Sequence, residues 1–271
     1  MAQGEEFQRR IMYPVLFQIG PFTIYSLGLL WALAAICAGW VVRLELKRRL
    51  YDPELASSLV LTAVAGGLVG ARLLLILEEW NNFIRFPWDF IFSGAGFSWY
   101  GGFLGGTLAV VWWVRRKGIP WLKTADISAP ALALGYGIGR IGCFLAGDGT
   151  WGKVTDVPWG VAFTNAVFGW VDPITGIPYP PGVKVHPTQI YELIQSLVVF
   201  GIVWLLRKKT FAPGTIFWLY LILAGAMRFL VEFWRVNRVV GLGMTEYQWI
   251  SIVLVALGLW QILRVRQQMT S

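Results

Sequence analysis

Charge is what this sequence has least of. Only 14% of its 271 residues are Asp, Glu, Lys or Arg, against about 25% in a typical soluble domain. With 56% of residues hydrophobic and a mean hydropathy of +0.60, a water-soluble fold would leave large apolar patches exposed. A bilayer is the solvent that this composition fits. Histidine occurs once and cysteine twice, too few for a structural zinc site, which takes four ligands. Cys37 and Cys143 fall in different apolar segments, so a disulfide would need the fold to pair them. No internal repeat or low-complexity tract is present. The opening "MAQGEEFQRRIMYPVLF" has no small-residue cleavage site and is read as retained. The net charge of +8 could serve nucleic acid, but the placement of Lys and Arg assigns it to membrane flanks instead.

What the sequence has in quantity is long apolar runs. Runs of about 20 residues mark membrane-spanning helices, and they predict seven spans, at 22–42, 57–77, 97–114, 125–146, 188–206, 215–234 and 246–263. The expected fold is therefore an all-α integral membrane protein, a single polytopic domain over 1–271. The connection 78–96 mixes Trp and Phe with charge and reads as an amphipathic segment at the interface. Residues 147–187 hold Pro158, Pro173, Pro178, Pro180, Pro181 and Pro187, too many for a helix, and are expected to form a small extramembrane cap between spans four and five. Arg43, Lys47, Arg48 and Arg49 follow span one, Arg115, Arg116, Lys117 and Lys123 follow span three, Arg207, Lys208 and Lys209 follow span five, and Arg264 and Arg266 follow span seven. Arg9, Arg10, Arg85, Lys153, Lys184, Arg235 and Arg238 are spread thinly over the longer opposite segments. Cytoplasmic loops concentrate Lys and Arg, so the N-terminus and the cap are expected outside and the C-terminus inside.

Arg72, Arg140 and Arg228 fit neither set of loops. Each falls in the last third of a span running outward, so all three are expected in the outer half of the bilayer. An Arg near a helix end can snorkel to the headgroups, and Arg228 with Glu232 at i, i+4 can be a simple intrahelical pair. Tyr25, Tyr100, Glu232 and Asp148 fall at a similar level, however, which points to a site. A guanidinium fork matches phosphate oxygens. Fixed arginines in a low dielectric would stabilise a phosphate as it leaves, and a phospholipid supplies phosphate at this depth.

The strings "YSLGLLWALA" (25–34), "GARL" (70–73), "SWYGGFLGG" (98–106), "GRIGCFLAGDGTWG" (139–152), "HPTQIYE" (186–192) and "RFLVEFWR" (228–235) together resemble the prolipoprotein diacylglyceryl transferase family in order and spacing. The resemblance covers nearly the whole chain. It implies a bacterial inner-membrane enzyme that moves the diacylglyceryl group of phosphatidylglycerol to the lipobox cysteine thiol of a preprolipoprotein, next to its signal peptide, releasing glycerol phosphate. It implies no metal or organic cofactor. Carried over position by position, it implies that Arg140 and Arg228 meet the phosphate, with Tyr100, Asp148 and Glu232 in the catalytic group. Tyr25, Arg72, Gly101, Gly102, Gly139, Gly142, Cys143, Gly152, His186 and Arg235 would surround the substrates, Arg235 at the outer mouth. The glycines around Arg140 would let a headgroup approach.

This chain departs from the family pattern in three places. Tyr100 stands where histidine is common, Cys143 stands where asparagine is common, and "GDGTWG" is one residue longer than the usual string. Tyrosine ionises near pH ~10 and is a poor base at neutral pH, so Asp148, Glu232, His186 or the departing phosphate would take the thiol proton. Because the reacting thiol belongs to the substrate, Cys143 is expected to pack as a small hydrophobe, and His186 to support the base of the cap. Three other readings stay open: an intramembrane serine protease using Ser98 and His186, a transporter, and a family member that binds lipid without turnover.

Overall fold

The computed structural model describes residues 12–20, 22–92, 97–167 and 169–270. The basic pair Arg9 and Arg10, the N-terminal segment before Met12 that was expected to be retained, and residues 93–96 of the connection expected at the interface lie outside the described residues. The chain is mostly helical, in the order β1 (Val15–Ile19), β2 (Phe22–Tyr25), α1 (Ser26–Arg48), α2 (Leu55–Glu78), α3 (Trp80–Arg85), α4 (Pro87–Phe92), α5 (Trp99–Lys117), α6 (Trp121–Ala146), α7 (Thr188–Leu206), α8 (Thr215–Val231), a 3₁₀ turn (Glu232–Trp234), β3 (Val239–Gly241), β4 (Met244–Thr245) and α9 (Glu246–Thr270). The expectation of a purely helical fold omitted the antiparallel hairpins β1–β2 and β3–β4. Phe22–Tyr25 is apolar enough to have been counted into the first span, but it pairs with β1 and the helix starts only at Ser26.

Six helical stretches are long and apolar enough to cross a membrane among the described residues: Ser26–Arg48, Leu55–Glu78, Trp121–Ala146, Thr188–Leu206, Thr215–Trp234 and Glu246–Val265. The exception among the seven expected is α5, which opens on Trp99, Tyr100 and two glycines and closes on Arg115, Arg116 and Lys117, leaving a short apolar run. Leu61, Ile36 and Leu205 are among many large apolar side chains turned outward. In lipid, such side chains face a solvent that matches them, and helices satisfy their own backbone groups.

The chain divides into two compact units, with the divisions falling inside α1 and α6. In the unit spanning Gly39–Ile127, α2 and α5 pack backbone to backbone. A Cβ on Gly70 would run into the carbonyl oxygen of Gly101, and one on Gly105 into that of Gly66. Small residues allow such close approach where no water drives association. Near the end of α1, the buried Glu45 pairs with Arg48 at 2.6 Å.

The other unit holds the residues up to Ala38 and those from Ser128 onward. The described residues of 147–187 contain no helix and use isolated bridges such as Val154 with Val185 and Val161 with Val185. Their core is Trp151, Phe163 and Val185 together with Met12, and the Trp151 and Phe163 rings stack with centroids 5.1 Å apart. Helix α6 ends in a Schellman motif: Gly147, at φ +61°, donates to Phe144 O while Asp148 N donates to Cys143 O, each at 3.3 Å. Glycine adopts that left-handed conformation without a Cβ penalty, and the turn sets Asp148 immediately beyond the helix.

Candidate active site

Three helices converge on one carboxylate. Glu192, in the second turn of α7, is 2% exposed. Its Oε2 lies 3.0 Å from Arg140 Nε on α6 and 3.2 Å from Arg235 Nη1, just past the 3₁₀ turn. Its Oε1 lies 3.3 Å from Arg228 Nη1 on α8. Oε1 also accepts a hydrogen bond from the Tyr136 hydroxyl at 3.2 Å, and that hydroxyl accepts one from Arg140 Nη2 at 2.9 Å. Tyr136 and Arg140 are i, i+4 on α6, so one helical face carries both.

A second carboxylate anchors Arg228. Glu232 Oε2 pairs with Arg228 Nη1 at 2.7 Å, while its Oε1 accepts from Asn237 Nδ2 at 2.6 Å and from Thr245 Oγ1 at 2.8 Å. The Arg228 guanidinium lies over the Tyr247 ring, 4.6 Å from its centroid. Glu192 and Glu232 are buried, whereas the side chains of Arg140 and Arg228 keep 17% and 21% exposure. Three guanidiniums thus face two carboxylates, and the excess positive charge sits on the side open to a ligand. In a low dielectric such an excess attracts one anion strongly.

Arg235 was expected at the outer mouth but is buried, 9% exposed, against Glu192. Burial draws its guanidinium below the ordinary arginine range, while Glu192 pulls in the opposite direction. Its position is set by Gly152, whose backbone pairs with Arg235 as an antiparallel bridge. Lys153 N donates to Trp234 O at 2.7 Å and Gly152 N to His186 O at 2.8 Å. The loop following Asp148, the His186 segment and the end of the 3₁₀ turn are therefore sewn together at Gly152.

Asp148 Oδ1 accepts from Thr150 N at 3.1 Å and Thr150 Oγ1 at 2.5 Å. Cys143 Sγ lies 3.8 Å from Arg140 Nη1. Glycines 139 and 142 face α1: a Cβ on Gly142 would lie 3.0 Å from Leu30 Cβ, and one on Gly139 would meet Trp31 at 3.9 Å. Tyr25 lines an open cavity of about 360 Å³ with Met12, Tyr13, Val15, Asn165 and Ala166.

His186 Nδ1 lies 3.0 Å from the Tyr191 hydroxyl, which accepts a hydrogen bond from Trp159 Nε1 at 2.7 Å. Burial lowers the His186 pKa. Ser98 Oγ donates to Glu78 Oε1 at 3.1 Å. Each side chain required by a serine protease is thus engaged with another partner.

Arg72, Tyr100, Gly101 and Gly102 belong to the unit spanning Gly39–Ile127. There the Arg72 guanidinium lies over Phe97, 4.6 Å from the ring centroid, and Gly101 packs against Gly70 and Leu74. A Cβ on Gly102 would meet Ala71 Cβ at 3.5 Å. Tyr100, in the first turn of α5, is 37% exposed.

Glu192, Tyr136 and Tyr247 were not among the expected site residues. Glu192 stands in the quoted string "HPTQIYE". The rule that an ionisable group inside a span needs a partner finds it once acids are searched as well as bases. Tyr136 could have been found from its i, i+4 spacing to Arg140.

These features define a class: a helical multi-pass membrane protein with an arginine–carboxylate cluster between its helices. The chain matches the family model described as prolipoprotein diacylglyceryl transferase over residues 14–264. It is 35% identical over 251 residues to the phosphatidylglycerol–prolipoprotein diacylglyceryl transferase of Clostridium tetani (strain Massachusetts / E88), covering 92% of this chain and 96% of that protein. The protein of the same name from Nitrosomonas europaea is 31% identical over 258 residues, covering 91% of this chain and 87% of the relative. The one from Pseudomonas paraeruginosa (strain DSM 24068 / PA7) is 34% identical over 247 residues, covering 88% and 86%. The chain belongs to the prolipoprotein diacylglyceryl transferase family.

Proposed function

We propose that this protein transfers the diacylglyceryl group of phosphatidylglycerol to the lipobox cysteine thiol of a preprolipoprotein, presented beside its signal peptide. The observation that carries this reading is the guanidinium cluster of Arg140, Arg228 and Arg235, held by Glu192 within membrane-spanning helices. A phosphodiester monoanion entering it neutralises the surplus charge. As the thiol sulfur bonds to the glyceryl carbon, the carbon–oxygen bond to phosphate breaks and the phosphate gains a second negative charge. Arg140 and Arg228 are the open guanidiniums and stabilise that charge. The thiol proton passes to one of four acceptors, Asp148, Glu232, His186 or the departing phosphate, each of the three side chains being engaged with a neighbour. The products are a thioether and glycerol phosphate.

In this reading the chain is a single polytopic domain of seven spans in the bacterial inner membrane. Its N-terminus and the 147–187 cap are periplasmic and its C-terminus is cytoplasmic, as the Lys and Arg of alternate loops support. Tyr25, Arg72, Tyr100, Gly101, Gly102, Gly139, Gly142, Cys143, Gly152 and His186 complete the surroundings of lipid and peptide. The test is detergent-purified protein with phosphatidylglycerol and a lipobox peptide carrying one cysteine, read by mass spectrometry. A gain of one diacylglyceryl group on that cysteine is the expected result. No gain, with phosphatidylglycerol bound and a relative active in the same assay, would mean that this chain holds lipid without converting it.

A further inference from the structure

The two carboxylates of the cluster hold their partners differently. Glu232 Oε1 accepts hydrogen bonds from Asn237 and Thr245 at 2.6 and 2.8 Å, while its Oε2 forms an ion pair with Arg228 at 2.7 Å that lacks hydrogen-bond alignment. The Glu192 contacts all lie at 3.0–3.4 Å and are shared among Arg140, Arg228, Arg235 and Tyr136. One carboxylate cannot offer short, well-aligned bonds to three guanidiniums at once. A donor is left over in the cluster: Arg235 Nε is buried with no hydrogen-bond acceptor among the described residues. Glu232 is held by Asn237 and Thr245 and pairs with one arginine, whereas Glu192 is shared among three.

Resting on the proposed function, we infer that Glu192 is the resident anion of this site, a positioning residue that holds the arginines together while the site is empty and competes with phosphate for them. A phosphate offers three or four oxygens where the carboxylate offers two, so it can satisfy guanidinium forks in the bidentate manner that Glu192 cannot achieve for all of them. When phosphate binds, the arginines turn their spare N–H groups toward it and loosen their hold on Glu192. After transfer, the carboxylate remains a few ångströms from the same guanidiniums. It reclaims them as the glycerol phosphate leaves, and its negative charge opposes retention of a doubly charged product. Glu192 thus trades some substrate affinity for release of product.

The inference makes an unusual demand: removing the charge of a buried site residue should tighten ligand binding. The experiment compares Glu192→Gln and Glu192→Asp with the wild-type protein in detergent. Glycerol phosphate affinity is measured by titration calorimetry, and kcat and KM by peptide lipidation, each variant being checked for a cooperative melting transition. The expected result is glycerol phosphate binding about tenfold tighter for Glu192→Gln, a neutral isostere that no longer competes for the arginines. Glu192→Asp, which keeps the charge but falls a methylene short, should show a smaller gain in the same direction. In both, KM for phosphatidylglycerol and kcat should fall together, the signature of slowed release. Equal or weaker glycerol phosphate binding in the folded variants overturns the inference and leaves Glu192 a purely structural ion-pair partner. If the wild-type protein lipidates the peptide but binds no glycerol phosphate, the inference falls while the transferase reading stands. If it does neither, both fall.

Discussion

Gly152 and Arg235 face each other as an antiparallel bridge, and through that pairing the 147–187 segment governs the guanidinium cluster. A Cβ on Gly152 would run into the carbonyl oxygen of Trp234 and come within 2.8 Å of His186 Cβ and Thr188 Cγ2. The nearest opposing group is a backbone carbonyl and another is a Cβ, and neither can swing away. Gly152→Ala should therefore displace Arg235 and cost about 1–3 kcal/mol of stability as overpacking. Transfer activity should fall more than tenfold while the protein stays in the membrane. A melting curve beside the lipidation assay checks both. Wild-type activity in Gly152→Ala would show that Arg235 does not depend on this contact.

Arg140 bonds through Nε to Glu192 and through Nη2 to Tyr136, so its fork is already oriented before a ligand arrives. Lysine retains the charge but presents a single point donor, which cannot hold Glu192, Tyr136 and a phosphate together. Arg140→Lys should therefore behave much like Arg140→Ala. Both should lose about 10²–10³-fold in kcat, the usual loss when a preorganised donor to developing negative charge is removed. Quantitative mass spectrometry of the lipidated peptide measures this. Substantial activity in Arg140→Lys would mean that charge alone suffices and that the fork geometry is dispensable.

The arginines stood out in the sequence because a charge in an apolar run has no surface to explain it. Glu192 did not, for a physical reason. It sits in the second turn of α7, where an acid reads as a residue reaching the interface, and only the fold brings Arg140, Arg228 and Arg235 from three other places to meet it. The same limit applies to Arg235: it was expected at the outer mouth beyond the end of a span, and its burial against Glu192, just past the 3₁₀ turn at Glu232–Trp234, depends on contacts that the sequence does not display. Helix positions were legible because about 20 consecutive apolar residues have few alternatives. The hairpin β1–β2 was not, since strand and helix residues at a membrane face share one composition. Near Arg140, clustered glycine signalled close approach, but sequence could not say to what. Gly142 approaches Leu27 and Leu30 of α1.

The 147–187 segment should loosen in acid in two stages. His186 has its pKa lowered by burial, and its Nδ1 faces the Tyr191 hydroxyl. A group whose folded pKa is depressed contributes stability that is complete above its unfolded pKa and is lost as pH falls through the folded value. For histidine that loss begins below pH ~6.5. Asp172 is depressed by hydrogen bonds from Thr175 N, Ile174 N, the Thr175 hydroxyl and the Tyr179 hydroxyl, so its contribution is present above pH ~3.9 and lost below it. Amide exchange across 150–187 should therefore rise first as His186 titrates and again near pH 4. His186→Gln should remove the first stage only. A first stage that persists in His186→Gln would assign it to another group.

Gly70 and Gly101 lie on facing helices with no room for a side chain between their backbones. The contact is made from small residues because, in lipid, helix association rests on close van der Waals packing. Gly70→Leu or Gly101→Leu would force α2 and α5 apart along the stretch that also includes Gly66 and Gly105, and no flexible side chain lies opposite to yield. Each substitution should cut the yield of folded, detergent-extractable protein several-fold and lower its melting temperature. Gly28→Leu, where a Cβ meets nothing within 4 Å, is the matched control and should leave both unchanged. If Gly101→Leu folds with wild-type stability but fails to lipidate the peptide, Gly101 is part of the substrate surface as well as of the helix contact, and the two roles divide at that residue.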